Sequence, residues 1–179
     1  AVAAAAGLLA GCATPTLPEP GGPAAASWLG RFSASWSVDA SPPRVESASG
    51  RFTLSADAAR TQIEIFSPFG QTVARTVTDA RASVLETADG RRFEAADPET
   101  LTETVLGWRV PVQHLPAWLA GNRPDRAIDG GWEVSIDARA DGLPSRMTMK
   151  WPADGAGEAA RHVTIRLVID AARAVSATA

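Results

Sequence analysis

From Trp28 onward, apolar and polar residues alternate with period two in short runs. Trp36 and Val38 are set against Ser35 and Ser37, Phe52 and Leu54 against Arg51, Thr53 and Ser55, and Ile63 and Ile65 against Gln62 and Glu64. Val73 and Val77 follow among Thr72, Arg75, Thr76 and Thr78, and Val84 precedes a break at Asp89-Gly90. Each run predicts a short strand with one wet face. Ser49-Gly50, Asp79-Ala80 and Ala88-Asp89-Gly90 supply turn chemistry at short intervals, which predicts an antiparallel meander.

After Asp97-Pro98 the period becomes helical. Leu101, Val105 and Trp108 fall on one face, behind Asp97 as cap, Pro98 at the first position and Glu99 in the first turn. A second short helix is predicted over 111–119, where Val112, Leu115, Trp118 and Leu119 share a face and Gly121 offers a stop. Strands resume with Trp132, Val134, Ile136 and Ala138, with Met147, Met149 and Trp151, and with Val163, Ile165, Leu167 and Ile169. Residues 171–179 read as a frayed tail.

Strands, two helices, then more strands place the chain in the mainly β, α+β class. A twisted antiparallel sheet of about eight or more strands curls, and helices from mid-chain can close over its concave face. The expected architecture is a curved antiparallel half-barrel with a helical lid around an apolar cavity. An ordinary α+β core without a cavity fits the same pattern.

The first residues carry a different signal. Leu9-Ala10-Gly11-Cys12 puts the single cysteine directly behind an apolar run that ends in small residues. Ala1 to Ala10 is too short for a bilayer span of about 20 residues but suits the end of a secretory signal. Residues 1–11 are therefore read as the C-terminal part of a lipoprotein signal peptide, cut before Cys12. Cys12 would then carry S-diacylglycerol and an N-acyl chain. A buried structural cysteine is the other reading. Residues 13–27, with Pro15, Pro18, Pro20, Gly21, Gly22 and Pro23, lack apolar periodicity and read as a tether reaching about 20 Å. One domain over 28–170 follows, of a size that buries about 70% of its unfolded surface.

Composition narrows the function. Net charge is -3 and the basic residues form no stripe in the sequence, so nucleic acid is not an expected partner. One cysteine allows no internal disulfide. His114 and His162 have no cysteine, histidine or carboxylate at a metal-ligand spacing, so neither a metal nor another cofactor is expected. No G-x-S-x-G elbow or phosphate-cradling glycine motif occurs. Pairs such as Glu64 with Glu86 or Asp137 with Asp141 fit solvated faces better than glycosidase chemistry. These absences favour a binding or carrier protein over an enzyme.

Ser67-Pro68-Phe69-Gly70 stands out between two strands, because Pro68 and Gly70 make it a turn and a phenylalanine at a turn tip is hard to bury. Folding of Phe69 back over the sheet edge is the alternative.

Taken in order, Cys12, Trp28-Leu29-Gly30-Arg31-Phe32 with Trp36, the Ser67-Pro68-Phe69-Gly70 turn, Gly107-Trp108-Arg109-Val110-Pro111-Val112, Leu115 and Trp118-Leu119-Ala120-Gly121 resemble the LolB family. That family comprises outer-membrane receptors that accept lipoproteins from the periplasmic carrier LolA. The resemblance spans the whole mature body, with Phe69 where the family often has leucine. It implies a half-barrel with a helical lid and an apolar cavity. The partners it implies are a LolA-like carrier, lipoprotein acyl chains and the inner leaflet of the outer membrane. The expected state is a monomer, lipid-anchored and facing the periplasm. Ala13 fits that address, since it is not the aspartate that retains enteric lipoproteins in the inner membrane.

Acyl chains offer no hydrogen bonds, so a receptor holds them by removing them from water, at about 0.8 kcal/mol per methylene. Candidates for the lining are Trp36, Phe52, Leu54, Ile63, Ile65, Met147, Met149 and Trp151 from the sheet, with Leu101, Val105, Leu115 and Trp118 from the lid. Each also fits a plain core. Pro68, Phe69 and Gly70 are the candidate loop that enters membrane or cargo. A membrane-tethered structural or assembly lipoprotein with a closed core and no acyl transfer is the competing function.

Overall fold

The computed structural model describes residues 26–38, 42, 44–152 and 162–174. Cys12 and most of the tether lie outside them. Among the described residues ten strands form one antiparallel sheet in the order β6-β5-β4-β3-β2-β1-β10-β9-β8-β7. One wing comprises β1 (Ala26–Val38), β2 (Arg44–Ala56), β3 (Arg60–Phe66), β4 (Thr72–Asp79), β5 (Ser83–Thr87) and β6 (Arg92–Ala95). The other comprises β7 (Arg126–Asp129), β8 (Trp132–Ala140), β9 (Leu143–Trp151) and β10 (Val163–Ala174). The wings join where β10 pairs with β1. The sheet stays open, with β6 and β7 as its free edges.

That topology dictates where the helices go. The chain leaves one edge at β6 and re-enters the sheet at the opposite edge, β7, so the segment between must cross the opening. It does so as α1 (Pro98–Leu106), a 3-10 turn (Val112–His114) and α2 (Leu115–Leu119). Helix α2 touches both β2 and β9, strands that β1 and β10 separate, so the sheet curls around it. The expected open, curved sheet with a helical lid is what forms. The second predicted helix splits, because Pro111 and Pro116 limit its hydrogen bonds, into the 3-10 turn and one short α-turn.

Three boundaries differ from the sequence reading. Ser49-Gly50 is no turn, because β2 runs straight through it. Ala26 and Ser27, read as tether, pair with Ala56 and Ser55 of β2. Ala171 to Ala174, read as tail, extend β10 along β1. Short alanine and serine runs carry no period, yet a waiting strand edge satisfies their backbone groups all the same.

Curvature has a local cause in two cross-strand pairs. Gly30 faces Phe52 and Phe32 faces Gly50, so each aromatic ring covers the glycine opposite. A Cβ on Gly30 would lie 2.4 Å from the Val168 carbonyl oxygen, and one on Gly50 2.2 Å from that of Phe66. Both sites adjoin irregularities in the register, at Leu29/Gly30 and at Ile65/Phe66. Bulges with ring-covered glycines bend a sheet sharply.

The start of α1 follows the sequence signal closely. Asp97 caps it, accepting from the Thr100 backbone N–H at 2.7 Å and from Thr100 Oγ1 at 2.9 Å, with Pro98 in the first turn. These bonds, led by the Thr100 N–H, hold the Asp97 carboxyl below its ordinary range. The capping contribution is therefore complete above an unfolded-state value of about 4 and disappears as the pH falls through the lowered folded value. Asp97→Ala is expected to lower the melting temperature at neutral pH, with Asp97→Asn recovering most of the loss. Equal melting of Asp97→Ala and the parent would show the cap to be idle.

Candidate functional site

The concave face is built by register. Trp28 faces Leu54, which faces Ile63, and on the other wing Ile165 faces Met149, which faces Val134. Apolar residues at alternate positions thus line up across the strands, and the lid packs against them in one cluster.

The candidate lining residues divide into two groups. Phe52, Leu54, Trp118, Met147 and Met149 are buried in the central cluster beneath the lid, together with Leu119, Trp132 and Val134. Leu101 is also buried, but on α1, which packs on β5 and β6 rather than in that cluster. Trp36, Ile63, Ile65, Leu115 and Trp151 are half-buried and pack on the rim of the cluster. Val105 is half-buried on α1. Phe32, Trp108 and Ile165 join the half-buried wall. Trp36 and Trp108 meet with ring centroids 5.8 Å apart at 46°. Cross-strand position gave no sign of that pairing, since Trp108 reaches Trp36 only because the lid spans the opening. The Trp108 indole Nε1 is buried with no acceptor among the described residues.

Polar contacts fasten the lid at the β7 and β8 edge. His114 Nδ1 lies 2.8 and 2.9 Å from the two carboxylate oxygens of Asp129, and Trp118 Nε1 donates to Asp129 Oδ2 at 3.2 Å. Trp132 Nε1 donates to the Arg109 carbonyl at 2.5 Å. Within the lid, Glu99 accepts from the Gln113 N–H at 3.0 Å and Thr102 Oγ1 from the Val110 N–H at 3.0 Å. Asp129 is the residue that the sequence reading missed. Nothing in the spacing of His114, Trp118 and Asp129 relates them until β7 lies beside the lid.

The β3–β4 turn is closed on both sides. The Gly70 N–H donates to the Ser67 carbonyl at 2.9 Å, and the Ser67 N–H to the Gln71 carbonyl at 2.8 Å. The Gln71 N–H also reaches Ser67 Oγ at 3.2 Å. Pro68 presets the second position, and Gly70, at φ +84°, supplies the left-handed residue that lets the chain return. Phe69 is left 93% exposed at the tip. It does not fold back over the edge.

Among the described residues no group of histidines, cysteines or carboxylates could hold a metal ion, and no helix is long and apolar enough to cross a membrane.

The family model of the outer membrane lipoprotein LolB matches residues 30–171. The chain belongs to the LolB family. Among curated relatives, the outer-membrane lipoprotein LolB of Azoarcus sp. (strain BH72) is 33% identical, covering 91% of this chain and 88% of its own. That of Dechloromonas aromatica (strain RCB) is 32% identical over 79% of this chain and 84% of its own. That of Bordetella petrii is 31% identical over 90% and 86%. LolB is a lipoprotein-localisation family and not an enzyme family, and outer-membrane, lipid-anchored residence goes with membership. The LolB match begins inside β1 and ends inside β10, so it takes in the curved sheet, the lid and the Phe69 turn together.

Proposed function

We propose that this LolB-family protein accepts lipoproteins from a LolA-like periplasmic carrier, holds their acyl chains inside the half-barrel and delivers them to the inner leaflet of the outer membrane. The half-buried apolar wall of Phe32, Trp36, Ile63, Ile65 and Trp108 at the open side of the sheet carries this reading. Acyl chains need apolar surface and no hydrogen bonds, and this wall supplies it without dismantling the fully buried cluster. Met147 and Met149 lie deeper, where their flexible side chains can repack around a chain that enters once the lid moves. Trp108 Nε1 offers one donor for an ester or amide carbonyl at the head of such a chain. Cys12, acylated, tethers the body to the membrane through residues 13–25, and the protein works as a monomer without cofactor or metal.

Phe69 is the delivery contact, entering membrane or cargo. Because its side chain is free of the core, Phe69→Glu leaves folding intact. It is expected to lower insertion of carrier-borne lipoprotein into liposomes about tenfold or more, the worth of burying one phenylalanine, while Phe69→Leu remains active. Insertion by Phe69→Glu at the parent rate would remove that role.

The closed-core alternative draws on the fully buried half of the cluster. A fluorescent fatty-acid probe separates the two. Saturable binding that weakens when Ile65→Asp places a charge on the wall supports the acyl receptor. No binding by the folded parent supports a structural lipoprotein.

A further inference from the structure

The convex face of the central strands carries a charge pattern unlike the rest of the chain. On the outward positions of β2, β1, β10 and β9 stand Arg51, Arg31, Arg166, Arg146 and Lys150, and the one carboxylate among those positions is Asp170. The whole chain has net charge -3, so this face is positive against the average. Arg51 lies directly opposite Arg31 in the register, an arrangement that costs stability when nothing compensates it. Asp170 does so for Arg31, binding its guanidinium at 2.8 and 3.1 Å. Arg51, Arg146, Arg166 and Lys150 have no ion-pair partner among the described residues. Between them stand short hydroxyl side chains, since Ser49 faces Ser33, Ser33 faces Arg166 and Arg166 faces Thr148. On the next strand Glu133 stands opposite Lys150 and Asp137 accepts from Thr148 Oγ1, so the cations left without a carboxylate opposite or bonded to them are Arg51, Arg146 and Arg166.

The patch also has a direction. Arg51 pairs with Phe66, the last residue of β3 before the Phe69 turn, and Val73, exposed by 45%, follows that turn. Unpaired guanidinium groups therefore continue from an exposed aromatic and aliphatic tip. A protein that attaches to a membrane from outside combines these two features, an apolar wedge and cations for lipid phosphates.

We infer that the convex face of β2, β1, β10 and β9 is a docking surface for anionic phospholipid headgroups. It orients the half-barrel on the bilayer while Phe69 enters it. The inference rests on the membrane-delivery reading only for this orientation. The cations and their lack of partners are independent of it.

Vesicle flotation of the full chain carrying Cys12→Ala, which removes the acyl anchor, tests the surface. Phosphatidylcholine vesicles are compared with vesicles that also contain phosphatidylglycerol, at low and high salt. Phosphatidylglycerol is expected to raise partitioning about tenfold or more at low salt, and salt to reverse the gain. Arg146→Glu with Arg166→Glu is expected to abolish the gain with an unchanged melting temperature, as both side chains are exposed. Arg81→Glu with Arg92→Glu makes the same charge change on the far wing, at the β4–β5 turn and on β6, and is expected to keep most of the gain. Phe69→Ser, which removes the apolar wedge without adding charge, is expected to weaken binding to both compositions by a common factor and to leave their ratio intact. A full phosphatidylglycerol gain in the Arg146/Arg166 variant overturns the inference. So does equal loss in the Arg81/Arg92 control, and so does a patch variant that binds vesicles normally but loses a protein partner. If Phe69→Ser changes nothing while the patch variant loses the gain, the headgroup surface stands and the insertion role of Phe69 falls.

Discussion

Trp118→Ala is expected to lower the unfolding free energy by about 3–5 kcal/mol and the melting temperature by roughly 10 °C. Trp118 is 1% exposed and sits on a helix of one short turn that has no side-chain cap. So short a helix does not hold itself together. Its stability comes from Trp118 and Leu119 pressed on the sheet, and from the Trp118 N–H bond to Asp129. Truncation opens a cavity under the lid and removes one of the two side chains that hold the Asp129 carboxylate. Trp118→Phe keeps most of the apolar contact and loses only the hydrogen bond, at a cost of about 1–3 kcal/mol. Chemical denaturation of the two variants separates packing from bonding. A loss below about 1 kcal/mol for Trp118→Ala would mean that the lid is not part of the cooperative core.

Gly50→Ala is the second large effect, expected to cost about 1–3 kcal/mol or more. The added Cβ would meet a backbone carbonyl, that of Phe66, at 2.2 Å and the Phe32 ring at 2.9 Å. A ring can rotate away, whereas the carbonyl belongs to β3 and moves only if the strand moves. Phe32→Leu combined with Gly50→Ala is therefore expected to recover little of the stability. Substantial recovery in urea denaturation would show that the ring, not the strand spacing, sets the constraint. Since β3 ends at Phe66, the strain is delivered to the base of the Phe69 turn, and the variant is also expected to increase amide exchange there.

Much of the fold was legible along the chain because its elements announce themselves locally. Period two marks Phe52 and Leu54, Ile63 and Ile65, Met147 and Met149, all of which face the concave side. Asp97-Pro98 starts α1 where the capping chemistry requires. Ser67-Pro68-Phe69-Gly70 forms the turn that proline and glycine specify. Short β6 and β7 escaped notice. Arg92–Ala95 and Arg126–Asp129 are edge strands of four residues each, too brief to show a period.

The lining was less legible for a related reason. Period two tells which side of a strand a residue faces and not how deeply it is covered. Ile65 and Phe52 face each other across β3 and β2, yet the first is half-buried and the second buried. Their difference comes from where the lid lies. Gly50 misled for the opposite reason. Glycine beside serine is turn chemistry in isolation, whereas here it lets an aromatic ring and a neighbouring strand approach closely.

By itself the sequence determined the longer strands, the lid helices, the Ser67–Gly70 turn and the family, because each depends on neighbours along the chain or on their order. The exposure of Phe69 was decided by the fold. Tertiary structure alone decided that β6 and β7 become free edges, so that the helices must cross the opening. It also joined His114 and Trp118 to Asp129, set Trp108 against Trp36, and brought Arg51, Arg146 and Arg166 to one face. These are contacts between segments distant in sequence, fixed by strand register and sheet curvature, and no local preference encodes them.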